Sequence, residues 1–178
     1  MDPALFEQMA VPLFDQLYNL AHWLSGNRSD AEDLVQETFA KALRGFRSFE
    51  TGTNLRAWMY RILRNTFMTS RSGLAAQKTG WLEDEDAEKT EELTAHAETP
   101  ERLLLREESR QQVLEALAAL GVGDREILLL CEVEELSYRE IAQVLDVPMG
   151  TVTSRLSRAR ARLRRALSGP RRRSTDGV

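Results

Sequence analysis

The sequence predicts an all-α protein: two small helical domains joined by a flexible acidic linker, the second containing a helix-turn-helix. Three observations carry this. Apolar residues recur at three- and four-residue intervals along most of the 178 residues, and no run alternates β-branched and polar residues as a strand would. Residues that start and stop helices punctuate those stripes. The stripes then lapse once, from residue 71 to residue 100, where scattered apolar residues surround a cluster of carboxylates (Glu83, Asp84, Glu85, Asp86, Glu88, Glu91, Glu92). Such a stretch cannot bury much surface, so it reads as a linker rather than a third domain.

In the first segment, residues 1–70, Leu13, Leu17, Leu20 and Leu24 form one stripe that ends at Gly26. Ser29 and Glu32 have the spacing of a capping box, and Val35, Phe39, Ala42 and Phe46 follow, predicting a helix from about Asp30 to Gly45. Leu55, Trp58, Met59, Ile62, Leu63 and Phe67 make a third stripe, and three such helices can share one core. In the second segment, 101–170, Thr99 and Pro100 look like an N-cap and a first helical position. Helices are predicted over about Glu101–Leu120, Asp124–Glu132, Ser137–Asp146 and Met149–Leu167, with a stop at Gly169-Pro170 and a loose tail at 171–178.

Composition narrows the function. Hydrophobic residues are 42% and charged residues 29%, a globular balance, and no apolar run approaches the ~20 residues of a membrane span. The first residues lack a basic segment followed by an apolar core, so the expectation is a cytoplasmic chain without membrane insertion. A single cysteine, Cys131, allows no internal disulfide, and with only His22 and His96 beside it no metal or cofactor is expected. The net charge of -4 hides a segregation: Thr151 to Arg173 holds nine arginines and no carboxylate. A solvated helix face ordinarily mixes both signs, so this run points to nucleic-acid phosphates.

The segment SYREIAQVLDVPMGTVTSRLSRARARLRRAL carries the strongest signal. Ser137 and Glu140 form a capping box, Ile141, Ala142 and Leu145 face inward, Asp146-Val147-Pro148 breaks the helix, and Val152, Leu156, Ala159 and Leu163 stripe the next one. With that face buried, Thr153, Ser154, Ser157 and Arg158 point outward, as a helix entering a major groove requires. An ordinary helical hairpin has the same spacing; the arginine-rich continuation weighs against it.

This segment closely resembles the second DNA-binding domain of bacterial sigma factors of the extracytoplasmic-function group, in a match nearly continuous from Leu136 to Leu163. DAEDLVQETF, at 30–39, resembles the same family's polymerase-binding helix, and FETGTNLRAWMYRILRNTF, at 49–67, its promoter-melting and minus-ten-reading segment. The resemblance implies that Asp30, Asp33, Gln36 and Glu37 dock on core RNA polymerase. It implies that Phe49, Asn54, Trp58, Tyr60, Arg61, Arg64 and Asn65 meet an opened minus-ten strand, with a pocket for a flipped-out base near the loop Phe46–Asn54. It also gives Thr151, Thr153, Ser154, Arg155, Ser157, Arg158 and Arg162 to the minus-thirty-five duplex. Read from the residues alone, the acidic start of 30–39 is better taken as a solvated helix start favoured by the helix dipole, and Trp58 as a core residue. Aromatics, arginines and an amide on one helix are nevertheless the groups that stack on and hydrogen-bond to unpaired bases.

The family pattern often has Lys or Arg where this chain has Thr153, which bears on the promoter read and not on the role. The resemblance further implies a minimal two-domain member, monomeric when free, with promoter DNA, core polymerase and an anti-sigma factor as partners. The alternatives are a sigma mimic that titrates an anti-sigma factor, another helix-turn-helix regulator, and an enzyme built on Cys131. Basic recognition residues weigh against the first and residues 30–67 against the second. The apolar, acidic surroundings of Cys131, which raise a thiol's pKa, weigh against the third.

Overall fold

The computed structural model describes residues 3–50, 52–74 and 100–168, and among them every regular element is helical. The first domain holds α1 (Pro3–Ala10), α2 (Phe14–Ser25), α3 (Arg28–Gly45) and α4 (Leu55–Leu74). Helix α1 lies outside the three stripes that the sequence predicts; its Phe6 packs edge-on against Phe46 at 5.1 Å and joins the core. Pro12 follows it in a short 3-10 turn, so the apolar pattern changes direction there without losing its burial. Helix α2 ends as predicted: Gly26 takes φ 83°, a left-handed conformation that glycine adopts without steric cost, and its N–H closes on the His22 carbonyl.

Helix α3 begins two residues earlier than predicted, and its cap is Asn27 rather than Ser29. The Asn27 backbone is extended and its Oδ1 accepts the Asp30 N–H at 2.8 Å, so Ser29 is already inside the first turn. Helix α4 also runs further, to Leu74, so its last turn enters the stretch expected as linker. Leu17, Leu20, Val35, Ala42, Met59, Leu63 and Phe67 form the shared core of α2, α3 and α4.

The second domain holds α5 (Pro100–Ala118), α6 (Val122–Leu128), α7 (Tyr138–Leu145) and α8 (Met149–Leu167). Helix α5 starts at Pro100, as the sequence predicts. The predicted helix Asp124–Glu132 is divided, because after α6 a π-helical turn spans Leu129–Val133 and the Glu134 N–H reaches back five residues to the Leu129 carbonyl at 2.9 Å. The capping box of Ser137 and Glu140 is present on α7. Asp146 turns the chain at φ 53°, and Ile141, Val144, Leu145, Val152, Leu156 and Ala159 close the helix-turn-helix core.

The two domains pack directly on each other, α4 against α7 and α2 against α6. Arg125 binds them at one edge: its guanidinium donates to the carbonyls of Leu117, Ala118 and Leu120 at the end of α5, and to Trp23 of α2 at 2.8 Å. It therefore caps one helix C-terminus and reaches another, where the helix dipoles favour a cation. Thr99, the acidic cluster, Gly169-Pro170 and the last three arginines lie outside the described residues.

Candidate nucleic-acid interface

Helix α4 presents three faces, and the residues predicted to meet the minus-ten strand are divided among them. Asn54 caps the helix by accepting the backbone N–H groups of Arg56 and Ala57 on its Oδ1. Met59, Leu63 and Phe67 face the core. Arg61 and Asn65, at helical spacing, face away from it, and with Trp58, which is packed against the edge of the core, they line a cleft of about 350 Å³ together with Lys41, Ser48 and Thr66. Arg61 and Asn65 are exposed and Trp58 is half-buried. The cleft thus sets an indole wall beside a guanidinium and an amide. A planar base can stack on the first and be hydrogen-bonded by the others.

Phe49 does not join that cleft. Its ring stacks on Phe46 at 5.8 Å, sits 5.4 Å from the Trp58 ring and is 6% exposed, so it supports the tryptophan from behind. Phe49, expected among the residues at the opened minus-ten strand, is thus buried against its own domain. Lys41 and Thr66 were not foreseen. The Lys41 ammonium donates to Thr66 Oγ1 at 3.2 Å and pairs with Glu37 at 2.8 Å, tying α3 to the cleft rim.

Tyr60, Arg64 and Asn54 face the second domain. Tyr60 is completely buried and its hydroxyl donates to the Glu134 carboxylate; burial and that carboxylate both push the phenol well above its usual pKa. Burial likewise pushes the Glu134 carboxyl up, against Tyr60 and Arg56, which favour its charged form. Arg64 Nε lies 3.0 Å from Glu126 Oε1, an ion pair with poor alignment, because neither atom completes a hydrogen bond among the described residues. Burial raises the Glu126 carboxyl, opposed by Arg64 and more weakly by Arg155. Asn54 Nδ2 donates to Glu140 Oε1 at 2.5 Å, and the Ser137 and Asn54 bonds hold that carboxyl below its usual range. The sequence places Tyr60 and Arg64 off the apolar stripe, and so they are; what lies beyond the stripe is another domain, not solvent.

On α8 the agreement is closer. Thr153, Ser154, Arg155, Ser157 and Arg158 are exposed, and Thr151 is half-buried at the helix start. Thr153 and Ser154 back-bond to the carbonyls of Met149 and Thr151, and Arg158 Nε reaches the Ser154 carbonyl at 3.2 Å, bonds that hold the side chains against their own helix. Arg162 differs, since its guanidinium pairs with Asp124 of α6 and braces the domain. Arg160 pairs with Glu132 at 2.6 Å and touches Cys131 Sγ at 3.7 Å. Burial and Glu132 push the Cys131 thiol up, which keeps it a poor nucleophile.

Asp30, Asp33, Gln36 and Glu37 are all exposed along α3. Asp30 is engaged with Asn27, and Glu37 with Lys41, leaving Asp33 and Gln36 on the open acidic stripe.

Comparison with known proteins agrees with this division into two units. Residues 12–74 match the family model described as Sigma-70 region 2, and residues 110–163 match Sigma-70, region 4. The chain is 36% identical over 168 residues to an ECF RNA polymerase sigma factor, SigE, of Mycolicibacterium smegmatis, covering 89% of this chain and 63% of that one. It is 39% identical over 137 residues to the ECF RNA polymerase sigma-E factor of Escherichia coli, covering 74% and 70%. Among solved structures, the sigma factor RpoE of Bartonella quintana, in complex with the anti-sigma factor NepR, superposes with a TM-score of 0.68 at 34% identity, over 93% of this chain and 98% of that one. With both regions in order and relatives at this identity, the chain belongs to the extracytoplasmic-function group of the sigma-70 family of RNA polymerase sigma factors.

Proposed function

We propose that this chain binds core RNA polymerase and directs it to a set of promoters. Residues 1–70 supply the polymerase-binding and minus-ten-reading unit, 71–100 the linker, 101–170 the minus-thirty-five-reading unit, and 171–178 a tail. The exposed stripe of α3, with Asp33 and Gln36 foremost and Asp30 and Glu37 at its margins, suits a basic partner surface. Trp58, Arg61 and Asn65 take up a base of the opened minus-ten strand, and Thr151, Thr153, Ser154, Arg155, Ser157 and Arg158 read the upstream duplex through its major groove. Arg162 contributes by holding α8 on α6.

The observation that carries this reading is the coexistence of two unlike surfaces in one chain: a base-sized cleft on α4 and an uncovered recognition face on α8. A regulator that reads duplex DNA alone needs only the second. The chemistry of RNA synthesis belongs to the polymerase, so this chain breaks no bond itself. It works in the cytoplasm, and an anti-sigma factor restrains it by binding the compact form better than the spread one. Run-off transcription with core polymerase on a promoter library, with and without the protein, tests the proposal. Discrete transcripts that appear only with the protein are expected; an unchanged transcript pattern overturns it.

A further inference from the structure

Helix α8 begins with an exposed side chain that none of the assignments above includes. Met149, its first residue, is 57% exposed, and the exposed Thr153 stands one turn further along the same face. Thr153 turns its hydroxyl back on the Met149 carbonyl at 3.3 Å, so its γ-methyl is the branch left for whatever lies in front of the helix. Ser154 likewise spends its one hydroxyl proton on the Thr151 carbonyl at 3.1 Å, and Gly150 has no side chain to offer. From Met149 to Ser154 the helix therefore presents two methyl groups and no cation. Packing does not account for the methionine, which borders an open groove with Ala142, Val147 and Pro148 and leaves more than half of its surface uncovered.

A recognition helix meets base edges with its N-terminal residues. In the major groove every base presents hydrogen-bonding atoms, and thymine alone adds a methyl group, at C5. A lysine or arginine at position 153 would seek acceptors, such as those of guanine. Two methyl groups have nothing to donate, and they gain only where carbon is buried against carbon. We infer that Met149 and Thr153 are specificity-determining residues that select a thymine of the upstream duplex through its C5-methyl. The unbranched thioether of Met149 suits the task, because it adapts to a small, irregular apolar surface. Arg158, whose Nε is held by the Ser154 carbonyl at 3.2 Å, lies five residues beyond Thr153 and reads a separate base step.

The inference rests on the assignment of α8 to the upstream duplex, and the test separates the two. In a promoter that the reconstituted holoenzyme transcribes, each upstream thymine is replaced in turn by deoxyuridine, which keeps every hydrogen-bonding edge and loses only the methyl. The half-saturating promoter concentration in run-off transcription is the readout, and because the protein is unchanged its folding is not at issue. One thymine should be sensitive, its replacement weakening the promoter about fourfold, the worth of one buried methyl. In Thr153→Val, which keeps the methyl and drops the hydroxyl, the penalty should remain. In Thr153→Ser, which does the reverse, it should shrink, and in Met149→Ala with Thr153→Ser it should vanish. Thr153→Ser decides the matter if the double variant loses its helical circular dichroism. A penalty absent at every upstream thymine, or equal in parent and double variant, overturns the role of Met149 and Thr153. If scrambling the whole upstream element leaves transcription by the parent unchanged, the assignment of α8 itself fails, and the inference falls with it.

Discussion

Helices α4 and α8 carry the two sets of residues proposed to meet DNA, and they differ in what covers them. On α8 the outward residues of the sequence pattern are outward in the molecule, and Val152, Leu156 and Ala159 account for the whole buried face. On α4 a second buried face exists, made of Tyr60 and the half-buried Arg64, and it faces the neighbouring domain. Periodicity reports which residues a helix turns toward its own core. It says nothing of a partner that arrives from another part of the chain.

The largest effect that would break this comparison is expected at Arg64. Arg64→Ala leaves the Glu126 carboxylate, itself 4% exposed as a side chain, without its ion-pair partner, and orphaning a buried charge costs about 3–5 kcal/mol. The closed arrangement should open before either domain unfolds. Solution scattering should therefore show an extended particle, and circular dichroism an unchanged helical content. Arg162→Ala is the control on the other helix: its side chain is half exposed, and losing its pair with Asp124 should cost no more than about 1 kcal/mol. Equal losses from the two variants would erase the distinction drawn between the helices.

A middle range is expected for the bases themselves. Trp58→Ala removes the wall of the cleft, and a stacked base is worth about 1–3 kcal/mol, so affinity for a single-stranded minus-ten oligonucleotide should fall by that amount. Duplex binding through α8 should not change. If both fall together, Trp58 acts through packing with Phe46 and Phe49 rather than through a base. Arg158→Ala should cost about 1–3 kcal/mol and relax preference at one base step of the upstream duplex. Identical losses on matched and mismatched promoters would remove Arg158 from the base-reading set.

Much of the architecture was legible because it is local. The Ser137 and Glu140 box, the Gly26 stop, the Pro100 start and the stripes of α2, α3, α4 and α8 depend on neighbours within a few residues. What was missed depends on distance along the chain. Helix α1 buries Phe6 against Phe39 and Phe46, far downstream. The cap of α3 is Asn27, two residues before the Ser29 that the spacing to Glu32 singles out, so a capping-box pattern alone misplaced the helix start. Glu126 offered a usable signal, since it opens the apolar run Glu-Ile-Leu-Leu-Leu in which a carboxylate invites the question of its partner. That partner, Arg64, lies on the other side of the linker. The proposed site residues come from family resemblance, and their faces from periodicity; their accessibility depends on how the two domains pack.

The smallest effect separates the two helices by pH. Burial raises the Glu126 and Glu134 carboxyls in the closed arrangement, against the favourable charges of Arg64 and Arg155 on the first and, on the second, the hydrogen bond from the Tyr60 hydroxyl and the charge of Arg56. When the domains part, both carboxyls return to water and to the ordinary value near about 4.3. Closure therefore takes up protons between the ordinary and the raised values. The closed form should be weakest above the raised values, gain as pH falls through them, and stop gaining once the pH is below the ordinary one. Glu140 is shifted the opposite way, but its capping bonds with Ser137 survive opening and only the Asn54 bond belongs to the interface, so its contribution is the lesser. Energy transfer between the domains, followed as the pH falls from neutrality toward the ordinary carboxylate value, should shift toward the closed distance. The Glu126→Gln, Glu134→Gln variant should show a flat profile, and duplex binding by α8 should follow neither trend. A parent whose domains separate on acidification would mean that the ion pair with Arg64, rather than burial of the carboxyls, dominates the interface.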